Sequence, residues 1–211
     1  MALSATKNRQ IVDAALVEFV AHGFHGARMD AIADRAQVSK RTVYKHFASK
    51  DALFARMITL MRAEFRGVVP DGFDPALPID VQLRKIGQAS GRLFTSRTFM
   101  KLVRLLVTEA GRDPSLAAHF PDDDGDSGAL AEFLANAHRH GVLAITDPAL
   151  AARQYRDLLK GRGFWPALIG QPRVDEGEMA EIIEQAIAMF LSHYAASAPQ
   201  QHIASAGQGH S

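Results

Sequence analysis

An all-α protein is expected from three features of this 211-residue chain. Apolar side chains recur at i, i+3, i+4 and i+7 in one segment after another. No run alternates with the period of two that a half-buried strand requires. Gly, Pro and Asp collect between the periodic segments. With 47% hydrophobic and 22% charged residues the chain has the apolar material for a sizeable core, which excludes global disorder. The absence of cysteine excludes disulfide scaffolds, thiolate zinc sites and thiol nucleophiles together. No apolar run reaches the roughly 18 residues of a spanning helix, because Asp13 and Glu18 interrupt the first segment and Arg104 interrupts residues 102–107. The N-terminus does not have the pattern of a signal peptide, so the expected location is the cytoplasm and no membrane is expected as a partner.

The first helix covers residues 6–21, with Ile11, Ala15 and Phe19 on one i, i+4 row and Val12, Leu16 and Val20 on the next; Gly23 and Gly26 end it. Met29, Ile32, Ala33 and Ala36 then define a two-turn helix over 29–36 with one buried stripe. Ser39 is suited to cap a second short helix, since its hydroxyl accepts from a first-turn amide that has no other partner, and Val43 with Phe47 forms the apolar pair of that helix. A longer helix follows Ser49, carried by Leu53, Phe54, Met57, Ile58, Met61 and Phe65 until Val68, Val69 and Pro70. Pro70, Gly72, Pro75 and Pro78 mark a connector, after which helices are expected at 79–96, 97–111, 126–141, 147–168 and 175–195. Asp147 before Pro148 is a strong helix start, because the carboxylate caps and proline is tolerated at the first helical position. The chain thus divides into a first domain of residues 1–66, a second helical domain of residues 67–196 and a disordered tail of residues 197–211, rich in Ala, Ser, Gln, Gly and His.

A formal net charge of +1 hides an asymmetry. Residues 1–66 carry 11 basic and 6 acidic side chains, whereas residues 67–211 carry 13 and 17. Within 35–50 stand Arg35, Lys40, Arg41, Lys45, Lys50 and His46, with no acid among them. Such a footprint suits a polyanion, although many short charge clusters are only solvated faces. What favours the polyanion is the frame. With Val43 and Phe47 turned inward, Lys40, Arg41, Thr42, Tyr44, Lys45 and His46 face outward on the second helix of a helix-turn-helix, the arrangement that major-groove readout needs. Amides at that helix's N-terminus add partial positive charge, and Lys50 is placed for a flanking phosphate.

Gly23-Phe24, Met29-Asp30-Ala31-Ile32-Ala33, the run from Val38 to Phe47, and Lys50-Asp51-Ala52-Leu53 stand in the order found in the TetR family of bacterial transcriptional regulators, which residues 7–60 resemble. The most telling part is Tyr44-x-His46-Phe47-x-x-Lys50-x-x-Leu53. The resemblance implies a recognition helix over 39–47, with Ser39 at its start, Lys40, Arg41, Thr42, Tyr44, Lys45 and His46 facing DNA, and Lys50 holding the backbone. Two positions depart from the family's pattern. Arg28 replaces the usual Ser or Thr, which removes a capping hydroxyl but leaves an arginine able to reach phosphate, and Gln37 stands where glycine is frequent, so a left-handed turn there carries a side chain. Farther on, residues 102–110, 114–117, 141–143, 147–152 and 158–161 look like the AefR-like branch. That likeness implies an all-helical C-terminal domain that takes a small effector and dimerises through its last two helices. Here these are 147–168 and 175–195, with Leu158, Leu159, Phe164, Trp165, Ile183, Ile187, Phe190 and Leu191 supplying contact area. The implied function is a homodimeric repressor that binds a palindromic double-stranded DNA operator and is released by a small molecule. An activator, or a regulator with no ligand, is the alternative; a helical carrier or enzyme is the remaining one.

Several residues stay open on sequence alone. Phe94, Phe99, Met100, Val103 and Leu106 form a stripe that either lines an effector cavity or is plain core. Arg104, Glu109, His138 and Tyr155 either orient a ligand or make ordinary hydrogen bonds, and Trp165 is either an interface anchor or core. Metal and cofactor sites are not expected. Asp122, Asp124 and Asp126 match the start of a calcium loop, but Ser127 replaces its glycine and Phe133 its bidentate glutamate. His138 and His140, two residues apart, fall on different helix faces. Gly87 to Gly91 misses the spacing of a nucleophile elbow by one residue, so no catalytic residue is assigned.

Overall fold

The computed structural model describes residues 2–69, 72–117 and 127–196. Among these, eleven helices follow one another: α1 (Ala2–Gly26), α2 (Met29–Arg35), α3 (Lys40–His46), α4 (Lys50–Arg66), α5 (Ile79–Thr95), α6 (Arg97–Arg112), α7 (Pro114–Ala117), α8 (Ser127–Arg139), α9 (Pro148–Gly163), α10 (Trp165–Leu168) and α11 (Glu176–Tyr194). The acidic segment with Asp122, Asp124 and Asp126, and the expected tail, lie outside the described residues.

The element boundaries follow from local chemistry. Gly23 leaves helical geometry at φ +69, which glycine reaches without a Cβ clash, and kinks α1 one turn before its end. Arg28 precedes α2 without a side-chain cap, as the missing hydroxyl implies. Gln37 adopts φ +53 and lets the Val38 amide donate to the Ala33 carbonyl at 3.1 Å, a turn that closes α2 and aims α3. The Ser39 hydroxyl accepts from the Thr42 amide at 3.1 Å, and Ser49 and Ser96 cap α4 and α6 in the same way. Asp175 and Glu178 complete a reciprocal capping box at the start of α11.

One expectation needs correction. Residues 147–168 are not one helix: the chain breaks after Gly163, and Pro166 at the start of α10 lacks the amide that a continuous helix would need there. Asp113 and Pro114 break the chain after α6 as read, and they also open the single turn α7, where the Asp113 carboxylate accepts from the Ser115 amide at 2.9 Å. Between α8 and α9 the chain also pairs with the end of α11, as Ala144 N–H donates to the Tyr194 carbonyl at 2.8 Å beside an isolated antiparallel bridge of Leu143 with Ala195.

Two cores result. The first gathers Ile11, Ala15, Phe19, Phe24, Ile32, Val43, Phe47, Leu53, Phe54 and Met57 from α1–α4 with the segment between α1 and α2. It also takes Leu105 and Leu106 from α6 and Leu116 from α7. The second joins α5, α8, α9, α10 and α11 around Leu83, Phe133, Tyr155, Leu159, Ile183 and Phe190. Helix α6 therefore serves both, because Phe99, Met100 and Val103 near its start belong to the second core. Burying each of the three leucines that enter the first core contributes about 1.5–3 kcal/mol, so α6 is bound firmly to the helix-turn-helix unit. In the second core α5 approaches α11 closely: a Cβ on Gly87 would lie 2.9 Å from Ile183, and one on Gly91 would lie 2.7 Å from Met179.

Candidate nucleic-acid interface

Helices α2 and α3 meet across the Gln37 turn, and α3 presents its faces as its pattern requires. Val43 is fully buried and Phe47 nearly so, which turns Lys40, Arg41, Tyr44 and Lys45 to solvent and leaves Thr42 and His46 half-buried. Tyr44 is 46% exposed, which leaves its ring open to a partner. Ser39 and Thr42 share a hydroxyl contact of 2.8 Å at the helix start. Lys40 reaches back to α2, its ammonium 2.8 Å from the Asp30 carboxylate. That hydrogen bond holds the Asp30 carboxyl below the usual aspartate range and raises the Lys40 ammonium above the usual lysine range, so both stay charged at neutral pH. Arg28, Arg41 and Lys45 are exposed. The arrangement offers a positive, hydrogen-bonding helix face whose orientation α2 fixes through a charge pair.

Lys50 goes elsewhere. Its ammonium donates to the carbonyls of Phe24 and His25 at 2.9 Å and of Ala27 at 3.0 Å, and sits 5.2 Å from the centre of the Phe24 ring. All three N–H groups are engaged on the end of α1, where helix carbonyls carry partial negative charge. A phosphate held by Lys50 would have to displace one of them. In this geometry the residue ties the start of α4 to the end of α1.

Of the six residues considered for an effector pocket, Phe94, Phe99, Val103 and Tyr155 share the second core, and Leu106 and His138 lie outside it. Phe94 and Val103 are buried in the second core, Phe94 with its ring 5.2 Å from that of Phe164. Leu106 is fully buried in the first core, not the second, because the C-terminal half of α6 faces α1 and α4. His138 is exposed, and its Nδ1 lies 2.9 Å from the Leu143 carbonyl oxygen, so it secures the turn after α8. Tyr155 is completely buried; its hydroxyl donates to the Leu83 carbonyl at 2.7 Å, and burial pushes the phenol well above its ordinary range. Phe99 lines a cavity of about 250 Å³ where Val12 and Leu16 of α1, Met57 and Leu60 of α4, and Leu102 of α6 converge.

The residues considered for the dimer seam divide in the same way. Leu159, Ile183, Ile187 and Phe190 are at most 4% exposed, since the strongest apolar rows of α9 and α11 pack into their own bundle. Leu158 and Leu191 are half-buried at the rim, and Trp165 is 52% exposed on α10. On the outer side of α9 and α11 lies a depression of about 520 Å³ lined by Gln154, Asp157, Leu158, Met189, Phe190, His193 and Tyr194, with Met189 59% exposed.

Two family models match this chain. Residues 11–57, which span the helix-turn-helix, match the model of bacterial regulatory proteins of the tetR family, and residues 81–196 match that of the AefR-like transcriptional repressor C-terminal domain. The chain belongs to the TetR family. A TetR family transcriptional regulator from Pseudomonas syringae pv. tomato is 33% identical with a TM-score of 0.76, over 90% of this chain and 97% of that one. The flavonoid-responsive regulator FrrA is 31% identical with a TM-score of 0.73, over 92% and 100%. Among curated relatives, the HTH-type transcriptional regulator YhgD of Bacillus subtilis is 30% identical over 105 residues, or 50% of this chain and 52% of that protein. The chain spans about half or less of the length of the curated relatives it matches.

As a TetR family regulator the protein is held together by polar contacts that its sequence did not reveal. Glu109 of α6 is 4% exposed and accepts from the Phe24 amide at 2.8 Å, while its other oxygen holds Arg112 at 3.0 Å. The main chain of Phe24 is thus gripped on its N–H by α6 and on its C=O by Lys50 of α4. His25 and Asp113 approach to 3.2 Å beside this joint. Arg104 donates to the carbonyls of Ala167 and Leu168 at 2.6 and 3.0 Å, fastening α6 to α10. Phe24 with Glu109, His25 with Asp113, and Arg104 with Ala167 and Leu168 are 63–88 residues apart, beyond the reach of any local pattern. Among the described residues there is no group of three or more His, Cys, Asp or Glu side chains placed to hold a metal, and no helix is long and apolar enough to cross a membrane.

Proposed function

We propose that this protein is a cytoplasmic homodimeric repressor that binds a palindromic operator through α3 and is released when a small molecule changes the spacing of its two reading heads. The observation that carries the DNA-binding reading is the outward face of α3, with Arg41, Tyr44 and Lys45 exposed over a fully buried Val43. Lys40, Arg41, Thr42 and Tyr44 contact base edges and phosphates, Lys45, His46 and Arg28 flank them, and Ser39 presets the helix start. Residues 1–66 form the head and residues 67–196 the effector and dimerisation domain, with the head depending on α6 for part of its core. Lys50 acts by fixing α4 against α1.

Support for repression comes from the match to an AefR-like transcriptional repressor C-terminal domain, and support for a small-molecule effector from the likeness to the flavonoid-responsive regulator FrrA. The dimer seam is the outer face of α9 and α11 around Leu158, Met189 and His193, since Leu159, Ile183 and Ile187 are enclosed in the protomer. Two recognition helices must stand about 34–36 Å apart to enter successive major grooves, so a tilt of α4 prevents simultaneous docking.

The test is selection of bound sequences from a random duplex pool at near-physiological salt, followed by footprinting. A palindrome with half-sites about one helical turn apart is expected. Recovery of single, unpaired half-sites would refute the dimeric reading, and failure to enrich any sequence would refute specific DNA binding.

A further inference from the structure

Beside the Phe24 joint, the last turns of α1 and the outer face of α6 enclose a groove of about 510 Å³. Phe19 and Leu105 form its floor and Val20, half-exposed, one apolar wall. Lys101, Arg104, Thr108 and Arg112 follow one another along α6 at spacings of three and four, so they share the face that looks into the groove. Their state of engagement differs. Arg104 has Nε and Nη2 on α10 carbonyls, which leaves its Nη1 edge, and Arg112 rests on Glu109. No hydrogen bond or ion pair engages exposed Lys101 among the described residues. Glu109 is the acid of the groove, and its two oxygens are occupied by the Phe24 amide and Arg112. Three cations therefore face one neutralised carboxylate over an apolar floor, in a volume within the range of small-molecule sites.

We infer that this groove binds a small organic carboxylate with an apolar body. Lys101 and the free edge of Arg104 hold the carboxylate through charge-assisted hydrogen bonds, Thr108 donates its hydroxyl, and the apolar body lies on Phe19, Val20 and Leu105. One wall belongs to the DNA-reading unit and the other to α6, so an occupant that touches both binds one setting of the joint better than another. By linkage, occupant and DNA then change each other's affinity for the protein by the same factor. This consequence rests on the effector-released reading given above; the site itself does not.

The experiment uses the full chain with benzoate and octanoate as probes, and neutral benzamide and octanamide as their controls, titrated by calorimetry against the wild type, Lys101→Gln and Lys101→Glu. Operator binding is followed by fluorescence anisotropy with and without the probes. Expected are one saturable carboxylate site per chain, binding at least tenfold tighter than the amides, a loss of about tenfold or more in Lys101→Gln and a larger loss in Lys101→Glu. Thermal unfolding at the wild-type temperature would show that both variants fold. Absence of saturable carboxylate binding, equal binding of the amides, or undiminished binding in Lys101→Glu overturns the site. So does weaker operator binding by Lys101→Gln without any probe, which would make Lys101 a DNA phosphate contact. If Lys101-dependent binding is found but operator affinity does not move, the site stands and effector release is what fails. If another compound releases the operator equally from wild type and Lys101→Glu, and no carboxylate binds, release stands and the groove is wrong.

Discussion

Replacing Lys50 by alanine separates two roles that the same residue would have at a protein–DNA boundary. The substitution removes three hydrogen bonds of 2.9–3.0 Å to the end of α1 and the cation over the Phe24 ring. Hydrogen bonds to a charged donor contribute about 1.5–3 kcal/mol each. They share one ammonium here, and the His25 carbonyl is in reach of water, so the total falls well below three times that figure. A loss of about 2–4 kcal/mol is expected. At roughly 2–4 °C per kcal/mol for a chain of this size, unfolding should begin at least 4 °C lower. The assay pairs thermal unfolding with operator binding at several salt concentrations, under conditions where the variant is fully folded. A structural lysine lowers the unfolding temperature and leaves the slope of log affinity against log salt unchanged. A phosphate-binding lysine leaves stability intact and reduces that slope by about 1. The second result would refute the reasoning.

Other substitutions probe other parts of the molecule. Arg41→Ala, at an exposed position on α3, should relax preference at one base pair by about 1–3 kcal/mol without affecting stability, read by competition between operator variants. Tyr155→Phe removes the 2.7 Å bond to the Leu83 carbonyl, an oxygen inside α5 that keeps the helix's own amide, for a cost of about 0.5–1.5 kcal/mol in denaturant unfolding. Gly91→Ala drives a methyl to within 2.7 Å of Met179 and should destabilise by about 1–3 kcal/mol through overpacking of α5 on α11. The Asp30 carboxyl is depressed in the folded state, so its contribution is present at neutral pH. That contribution is lost as pH falls from the unfolded aspartate value through the lower folded one; carbon NMR should show Asp30 titrating below an unpaired aspartate, and Lys40→Gln should return it to normal.

The helix-turn-helix was legible because its information is local. Val43 and Phe47 lie four residues apart on one helix, Ser39 caps three residues ahead, and Gln37 replaces glycine in a turn only three residues long, so sequence spacing alone fixes which side faces out. The second domain was legible only as helices. A stripe such as Ile183, Ile187 and Phe190 says that a face is apolar and not what covers it, and here the protomer's own bundle covers it. Leu106 illustrates the same limit: it continues the row of Phe99 and Val103, yet α6 passes from one core to the other between them. Glu109, Arg104 and Lys50 stood out as residues but their partners did not, because each bonds to main-chain groups, which every residue type supplies equally.

The three leucines that α6 and α7 lend to the first core bear on how such regulators can be recombined. A hybrid sensor made by splicing residues 1–66 onto a foreign effector module would leave an open apolar socket where Leu105, Leu106 and Leu116 now sit. Its head would be both looser and prone to aggregation. A workable graft has to carry the partner surface along with the reading head, by transplanting the second half of α6 with α7, or by choosing a recipient whose own helix offers leucines in the same register.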